Sequence, residues 1–200
     1  MSDTSHPRAD PPNADGRVLR GARNRERIVE AMLDIIRSGS LRPTAEQVAE
    51  RAGVGTRTVF RHFDDMDALY AEMSAAIQQE IAPMLCEPLP AGTLADRVRQ
   101  VVERRAAVFE IIAPFQRAAA VQRWRSTYLQ ENHAAMTREL RTQLRQVLPE
   151  LDAQEASVLE AADLLTCWES WRRLRDDQGL GLRAARGAMR AGLAALLGVD

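Results

Sequence analysis

The chain contains no lysine, so all 27 of its basic residues are arginines. Aromatic residues make up only 4% of the sequence, and the abundance of alanine, leucine and arginine favours helices over sheets. The two cysteines, Cys86 and Cys167, lie far apart in unrelated contexts. This separation argues against a disulfide framework or a zinc site and favours reduced thiols.

No apolar run approaches the roughly 18 residues that a membrane span needs. The first residues, MSDTSHPRADPPNADG, lack the apolar segment of a signal peptide. We therefore expect a cytoplasmic protein without a membrane partner. Sequence motifs of common enzyme classes are also missing, and the three histidines lie in separate regions. We expect no enzyme activity, no cofactor and no metal.

Charge is distributed unevenly along the chain, although the formal net charge is only -1. Residues 17–63 contain ten arginines against five acidic residues, whereas residues 64–200 contain 16 arginines against 20 acidic residues. A basic region attached to an acidic body favours an anionic partner for the first region.

Apolar periodicity and capping signals predict an all-α fold of about nine helices. The first helix is predicted from about Arg23 to Arg37. Thr44, followed three residues later by Gln47, forms a capping-box pattern, and Gly53 suits the left-handed turn after the second helix. A short third helix follows that turn.

The later helices are delimited by caps and prolines. Asp65 is expected to open a long helix that Pro83 bends or ends. Thr93 is expected to begin the next helix and Pro114 to break it. Three further helices are predicted at about 125–148, 152–175 and 182–197.

Residues 44–63 have the pattern of a helix-turn-helix unit, whose second helix places its first residues in the major groove of DNA. Arg57 can donate two hydrogen bonds to guanine, and Thr58 can bond a base or contact the thymine methyl group. Thr44 lies at a helix start, where free amides attract a phosphate. Such units also occur in proteins that never bind DNA, in which case Arg57 and Arg61 would be ordinary solvated charges.

The segment TAEQVAERAGVGTRTVFRHFDDMDAL resembles the DNA-binding segment of the TetR family of transcriptional regulators. The resemblance implies that Arg57 and Thr58 approach bases, and that Thr44, Phe60 and His62 approach phosphates. The predicted DNA-binding residues are Thr44, Gly55, Thr56, Arg57, Thr58, Phe60, Arg61 and His62.

The resemblance is close over about residues 21–70, but three of these positions depart from the family pattern. Gly55 replaces a common Ser or Thr cap, Phe60 replaces the usual Tyr, and Met66 replaces a frequent Lys. The last two changes each remove a phosphate contact, which should weaken DNA binding and flatten its salt dependence.

One helix-turn-helix unit reads too few base pairs for useful specificity, so we expect a homodimer on a palindromic double-stranded DNA operator. The last two helices are predicted to form the dimer interface, because small residues allow close approach and apolar residues supply area. A buried helical hairpin in a monomer is the alternative. The predicted interface residues are Leu164, Trp171, Leu182, Ala185, Met189, Leu193 and Leu196.

The central helices could enclose a cavity for a small-molecule effector, expected to be apolar or aromatic. For each residue the alternative is ordinary core packing. The predicted ligand-binding residues are Phe109, Phe115, Trp124, Tyr128, Asn132, His133, Cys167, Trp168 and Trp171.

These patterns together predict a ligand-responsive transcriptional regulator, most simply a repressor that its effector releases from the operator. The alternatives are an activator, or a DNA-binding protein of the same fold without an effector. The predicted domains are a disordered N-terminal arm (1–20), a helix-turn-helix DNA-binding domain (21–64) and a helical effector-binding and dimerisation domain (65–200).

Overall fold

The computed structural model describes residues 14–199 of the chain, with side chains from residue 18 onward. Over this range it contains nine α-helices and no strand, which confirms the predicted all-α fold. Among these helices none is long and apolar enough to cross a membrane. The helices are α1 (Ala14–Arg37), α2 (Ala45–Ala52), α3 (Thr56–His62), α4 (Met66–Cys86), α5 (Leu94–Gln122), α6 (Thr127–Val147), α7 (Ala156–Leu165), α8 (Trp168–Arg172) and α9 (Leu182–Leu197).

Helices α1, α2 and α3, here called the head, surround one small apolar core. Ile28, Met32 and Ile36 of α1 are buried at the spacing of a single helix face. They meet the buried Val48 of α2 and Val59 of α3. This core fixes the three helices relative to one another and leaves their outer faces to solvent.

The second helix begins and ends as its sequence predicts. The Thr44 hydroxyl oxygen accepts a hydrogen bond from the Gln47 backbone nitrogen at 3.3 Å, and the Thr44 backbone nitrogen donates to Gln47 Oε1 at 2.9 Å. The pair provides partners for amide groups that a helix start leaves unbonded. Gly53 ends the helix with a φ of 63°, in the left-handed region that favours glycine.

The first helix starts well before the predicted position near Arg23. Residues 14–20, expected to belong to a disordered arm, are helical, and residues 1–13 of that arm lie outside the described residues. Val18 and Leu19 are 71% and 57% exposed, so no core contact holds this extension. Lengthening an existing helix adds a hydrogen bond per residue without a new nucleation cost. Apolar periodicity does not reveal such an extension, because its residues need not face the core.

Helix α4 connects the head to the rest of the chain, here called the body. Asp65 caps it, because Asp65 Oδ1 accepts a hydrogen bond from the Ala68 backbone nitrogen at 2.8 Å. The helix continues through Pro83 to Cys86, so Pro83 does not end it. Pro83 and Gln79 are exposed, and water can therefore bond the Gln79 carbonyl that the proline leaves without a donor.

Helix α5 is the central helix of the body and packs against α1, α4, α6, α8 and α9. It continues through Pro114, which was expected to break it. The neighbouring Ile112, Ala113 and Phe115 are all buried. Their burial offsets the cost of an interior proline, which is about 3 kcal/mol.

The helix predicted over residues 152–175 is divided in two. Helix α7 ends at Leu165 and α8 begins at Trp168. Between them, Thr166 is fully buried, and its carbonyl oxygen accepts a hydrogen bond from Arg105 Nη1 at 2.7 Å. A carbonyl bonded to another helix is not available to the next turn of its own helix, so the helix ends there.

We expect Gly53→Ala to lower the free energy of unfolding by about 1–2 kcal/mol, because a residue with a Cβ is strained at this φ. The new Cβ would also lie 2.9 Å from Arg27 Nη2, which donates to the Ala52 carbonyl oxygen. Urea denaturation measures the change. Gly55→Ser is the matched control, since its φ is -76° and its Cβ would meet nothing within 4 Å. Equal losses in the two variants would contradict the left-handed turn at Gly53.

Candidate nucleic-acid interface and effector cavity

Helix α3 has a buried side and an exposed side. Val59 and Phe63, the latter directly after the helix, are each 2% exposed and hold α3 against the rest of the head. Arg57, Phe60 and Arg61 are exposed. The outer side of α3 is therefore a basic surface that also carries one aromatic ring.

Other predicted DNA-binding residues lie at the starts of helices. Gly55 is the N-cap of α3 and forms no side-chain hydrogen bond, so the first turn has no side-chain cap. Thr56 and Thr58 are half-buried in that turn. Thr44 is exposed at the start of α2, and its hydroxyl, an acceptor in the capping box, still has a proton to donate. These groups can bond phosphate oxygens or base edges.

The arginines of the head divide into paired and free groups. Arg25, Arg37 and Arg51 each form an ion pair. Arg57 and Arg61 form none with any residue from 18 to 199, and no acidic side chain in that range neutralises them at contact distance. Helix α3 therefore presents two exposed arginines whose charge no carboxylate among residues 18–199 neutralises at contact distance.

His62 closes α3 and is half-buried. Burial lowers its pKa, and repulsion from Arg61 and Arg25 lowers it further. Its Nε2 atom is buried without a hydrogen-bond partner among the described residues. The ring is therefore neutral at pH 7 and does not add to the positive charge of α3.

Arg25 holds three helices together. Its Nη1 donates to the His62 carbonyl oxygen at 2.6 Å, and its Nη2 donates to Glu72 Oε1 at 2.8 Å. Its guanidinium carbon also lies 4.4 Å from the centroid of the Phe63 ring, in a cation–π contact. One side chain of α1 thus connects the end of α3 to the side of α4.

A cavity of about 330 Å³ lies between α4, α5 and α6, and we call it the main chamber. Its wall is mainly apolar and includes a few amide side chains, which is the usual composition of a small-molecule site. Among the predicted ligand-binding residues, the structure places Phe109, Phe115 and Asn132 in this wall.

The remaining predicted ligand-binding residues do not line the main chamber. Trp124 is 77% exposed. Trp168 and Trp171 are buried, and their ring centroids lie 5.9 Å and 6.4 Å from that of Phe109, so they pack behind the wall. Core and cavity use the same large side chains, and residue type alone does not separate them. The other residues outside the wall are Tyr128, His133 and Cys167.

Sequence reasoning missed the α4 side of the main chamber. Met73, Ile77 and Ile81 line it, and their four-residue spacing is equally that of residues facing a packed core. Ser74 is a buried polar residue that also lines the chamber. A serine beside an apolar stripe is the one local signal that could have indicated a cavity there.

The predicted dimer interface is only partly available to a partner. Trp171, Ala185, Met189 and Leu193 are at most 1% exposed and pack inside their own protomer, which differs from the prediction. The stripe on α9 serves its packing against α5 and α7, so its apolar character has a cause within the monomer. The predicted residues that stay exposed or half-exposed are Leu164, Leu182 and Leu196.

Comparison with known proteins agrees with this geometry. Residues 35–73 match the family model for bacterial regulatory proteins of the tetR family. A transcriptional regulator from Rhodococcus sp. Rha1 has the same fold, with a TM-score of 0.63, 20% identity, and coverage of 89% of this chain and 96% of that one. A TetR-family transcriptional regulator from Mesorhizobium loti also has this fold, with a TM-score of 0.63, 14% identity, and coverage of 90% and 97%. No curated protein sequence matches the chain. The family match confirms the resemblance inferred from the sequence, and the two structures confirm the fold.

We expect Arg25→Met to lower the free energy of unfolding by about 1–3 kcal/mol, because it removes a hydrogen bond, an ion pair and a cation–π contact together. Arg51→Met is the matched control. It removes only the ion pair between Arg51 and Asp34. These side chains are 57% and 49% exposed, and such a pair contributes less than about 1 kcal/mol. Urea denaturation compares the two, and amide hydrogen exchange should accelerate in α3 only for Arg25→Met. Unchanged exchange in α3 would contradict the role given to Arg25.

Proposed function

We propose that this chain is a transcriptional regulator of the TetR family and acts as a repressor. It would bind a palindromic DNA operator as a homodimer and leave it when a small, mainly apolar effector occupies the main chamber. One observation carries the proposal. Helix α4 lines the chamber and is also bonded to Arg25, the side chain that holds the end of α3.

Helix α3 is the element that would enter the major groove. Arg57 is exposed and has no ion-pair partner among residues 18–199, so it can donate two hydrogen bonds to one guanine. Thr58 lies beside it in the same first turn. Arg61 and the Thr44 hydroxyl would contact phosphates. Phe60 can cover the DNA backbone but has no hydroxyl to bond it, so the phosphate contribution depends more heavily on the arginines.

Helix α4 would transmit effector binding to the head. Met73 and Ile77 form part of the chamber wall, and Glu72, which directly precedes Met73 on α4, is bonded to Arg25. An effector that displaces the wall residues therefore moves Glu72, and Arg25 moves the His62 carbonyl. Two heads must fit half-sites about 34 Å apart, so a small shift of each head lowers operator affinity.

Helix α6 provides a second connection between the chamber and the head. Ser126 Oγ donates to Asp67 Oδ1 at 2.6 Å, and the Tyr128 backbone nitrogen donates to Asp67 Oδ2 at 3.3 Å. The same helix supplies Asn132 and Met136 to the chamber wall. Movement of α6 therefore reaches the first turn of α4, which follows α3 directly.

A third connection joins the end of α1 to the chamber. Arg37 Nη2 lies 2.8 Å from Glu80 Oε2 on α4, and its guanidinium carbon lies 5.5 Å from the centroid of the Phe115 ring. Phe115 lines the main chamber. All three connections lead from the chamber wall to the head, as effector control of DNA binding requires.

The homodimer would form through the outer faces of α7 and α9. Leu164 is 66% exposed and Leu182 is 37% exposed, so both leave apolar surface that a partner could cover. Ala184, Ala188 and Ala195 are also exposed on α9 and permit a close approach of two helices. Together these residues could form an apolar interface between two copies of the chain.

The main chamber favours an effector-responsive regulator over a DNA-binding protein of the same fold without an effector. Activation is the second candidate function, because the sign of regulation depends on where the operator lies relative to the promoter. Selection of bound sequences from random DNA tests the core of the proposal. A palindrome with two half-sites is expected, and enrichment of no sequence at low ionic strength would overturn DNA recognition by α3.

We expect Arg57→Ala to weaken binding to the selected operator by about 1–3 kcal/mol, because the arginine reads a base edge. Binding to random DNA should fall much less and remain dependent on salt. Arg138→Ala removes an exposed arginine from α6 and serves as the matched control for loss of charge. Gel-shift titrations on operator and random duplexes measure the affinities of both variants. A base-reading role for Arg57 is wrong if its loss affects the two duplexes equally.

We expect Leu164→Asp to convert the dimer to a monomer, because it places a charge on an apolar face that a partner covers. Sedimentation velocity measures the assembly state. Trp124→Asp is the matched control, since Trp124 is 77% exposed but lies outside α7 and α9. An intact dimer in the Leu164→Asp variant would rule out this interface.

A further inference from the structure

A smaller chamber of about 110 Å³ adjoins the main chamber, and we call it the second chamber. The two chambers have wall residues in common, so they lie side by side. The residues at their junction are mostly apolar. The shared residues are Leu85, Val108, Phe109, Leu140 and Gln143.

The wall of the second chamber contains a buried cation. Arg105 lines this chamber and is only 5% exposed. Its Nη1 donates to the Thr166 carbonyl oxygen at 2.7 Å and to Thr166 Oγ1 at 2.5 Å, and its Nη2 donates to the Leu140 carbonyl oxygen. All these acceptors are neutral. They satisfy hydrogen bonds of the guanidinium group without neutralising its charge.

No carboxylate among residues 18–199 lies at ion-pair distance from Arg105. Asp163 acts on Arg105 electrostatically, but its own ion-pair contact is with Arg141, at 3.7 Å between Oδ2 and Nη1. Burial lowers the pKa of Arg105 to about 10, so the group remains a cation at pH 7. Asp163 therefore compensates the buried cation only in part, because it lies beyond ion-pair distance and is in contact with Arg141. An anionic ligand group beside Arg105 would stabilise the cation further.

The charge of the wall differs between the two chambers. Arg104 gives the second chamber another cation, and it donates to the carbonyl oxygens of Leu85 and Glu87, which are again neutral acceptors. The main chamber has no basic residue among those that line it, and Glu139 is its only acidic one. A ligand with one charged end would therefore bind in a single orientation, with an anionic end in the second chamber.

We infer that the effector is an elongated apolar molecule with one anionic end, for which a straight-chain carboxylic acid is the simplest chemistry. Its chain lies in the main chamber against Met73 and Phe115, and its carboxylate meets Arg105 in the second chamber. The inference rests on the proposed function, because it specifies the effector of that regulator.

Isothermal titration of the full-length protein at pH 7 with decanoate, 1-decanol and decylamine tests the end group. These probes share one chain length and differ in charge. Decanoate should bind at least about tenfold more tightly than 1-decanol, because only the carboxylate pairs with a buried cation. Equal affinities of decanoate and 1-decanol would overturn the inference. Tightest binding of decylamine, or no binding of any probe, would overturn it too.

Variants test whether Arg105 is the residue that selects the carboxylate. Arg105→Met keeps an unbranched side chain but removes the charge, so decanoate affinity should fall to that of 1-decanol while 1-decanol affinity is retained. Arg138→Met, on the exposed side of α6, should leave the preference unchanged. Arg105 also bonds two backbone carbonyls, and Arg104→Met therefore provides a second variant that leaves those bonds in place. It should reduce the preference in part, and an unchanged preference in every folded variant would overturn the inference.

Operator binding with each probe separates this inference from the proposed function. Selective binding of decanoate without release of the operator would support the ligand class and contradict the repressor mechanism. Equal release by decanoate and 1-decanol would support the repressor mechanism and contradict the ligand class.

Discussion

Helix α4 must bury one continuous apolar stripe against two different neighbours, and the rest of the structure depends on this constraint. Leu69 is fully buried near the head, and Ile77 and Ile81 of the same stripe line the main chamber. A helix is stiff over this length, so the stripe cannot shift at one end without moving the other. The polar contacts of Arg25 and Arg37 with α4 are between half-exposed partners, which contribute little stability. Apolar packing therefore stabilises the junction, while the ion pairs fix the position of α4 against α1.

Helix ends were predictable where their cause is local. The caps at Thr44, Asp65 and Thr93 are all formed with a residue three positions later, and each was identified correctly from the sequence. The errors arose where the cause is distant. Pro114 is tolerated because a buried face surrounds it, and Thr166 ends a helix because Arg105, 61 positions away, bonds its carbonyl. Neither cause is visible in a window of neighbouring residues.

The candidate sites show the same division between local and distant causes. The exposed side of α3 follows from a short helix with two buried anchors, and the placement of Arg57 agrees with the sequence prediction. Aromatic character was a poor guide to the cavity, since Phe109 lines it while Trp171 packs behind it. Small and apolar residues on α9 were equally ambiguous, because Ala185 and Met189 pack against the protomer's own helices. Which side of a helix meets a neighbour, a cavity or a partner depends on the tertiary arrangement.

Phe109 and Trp168 are in edge-to-face contact, at 5.9 Å between ring centroids, and this contact makes intrinsic tryptophan fluorescence a probe of the interior. Phe109 belongs to the walls of both chambers, so a ligand that turns its ring changes the surroundings of Trp168 and Trp171. Indole emission responds to such changes in polarity and contact. Trp124 is 77% exposed to solvent and lines neither chamber. Its emission should therefore stay constant and can be subtracted from the total tryptophan emission. Occupancy of the interior can therefore be followed in solution without attaching a dye.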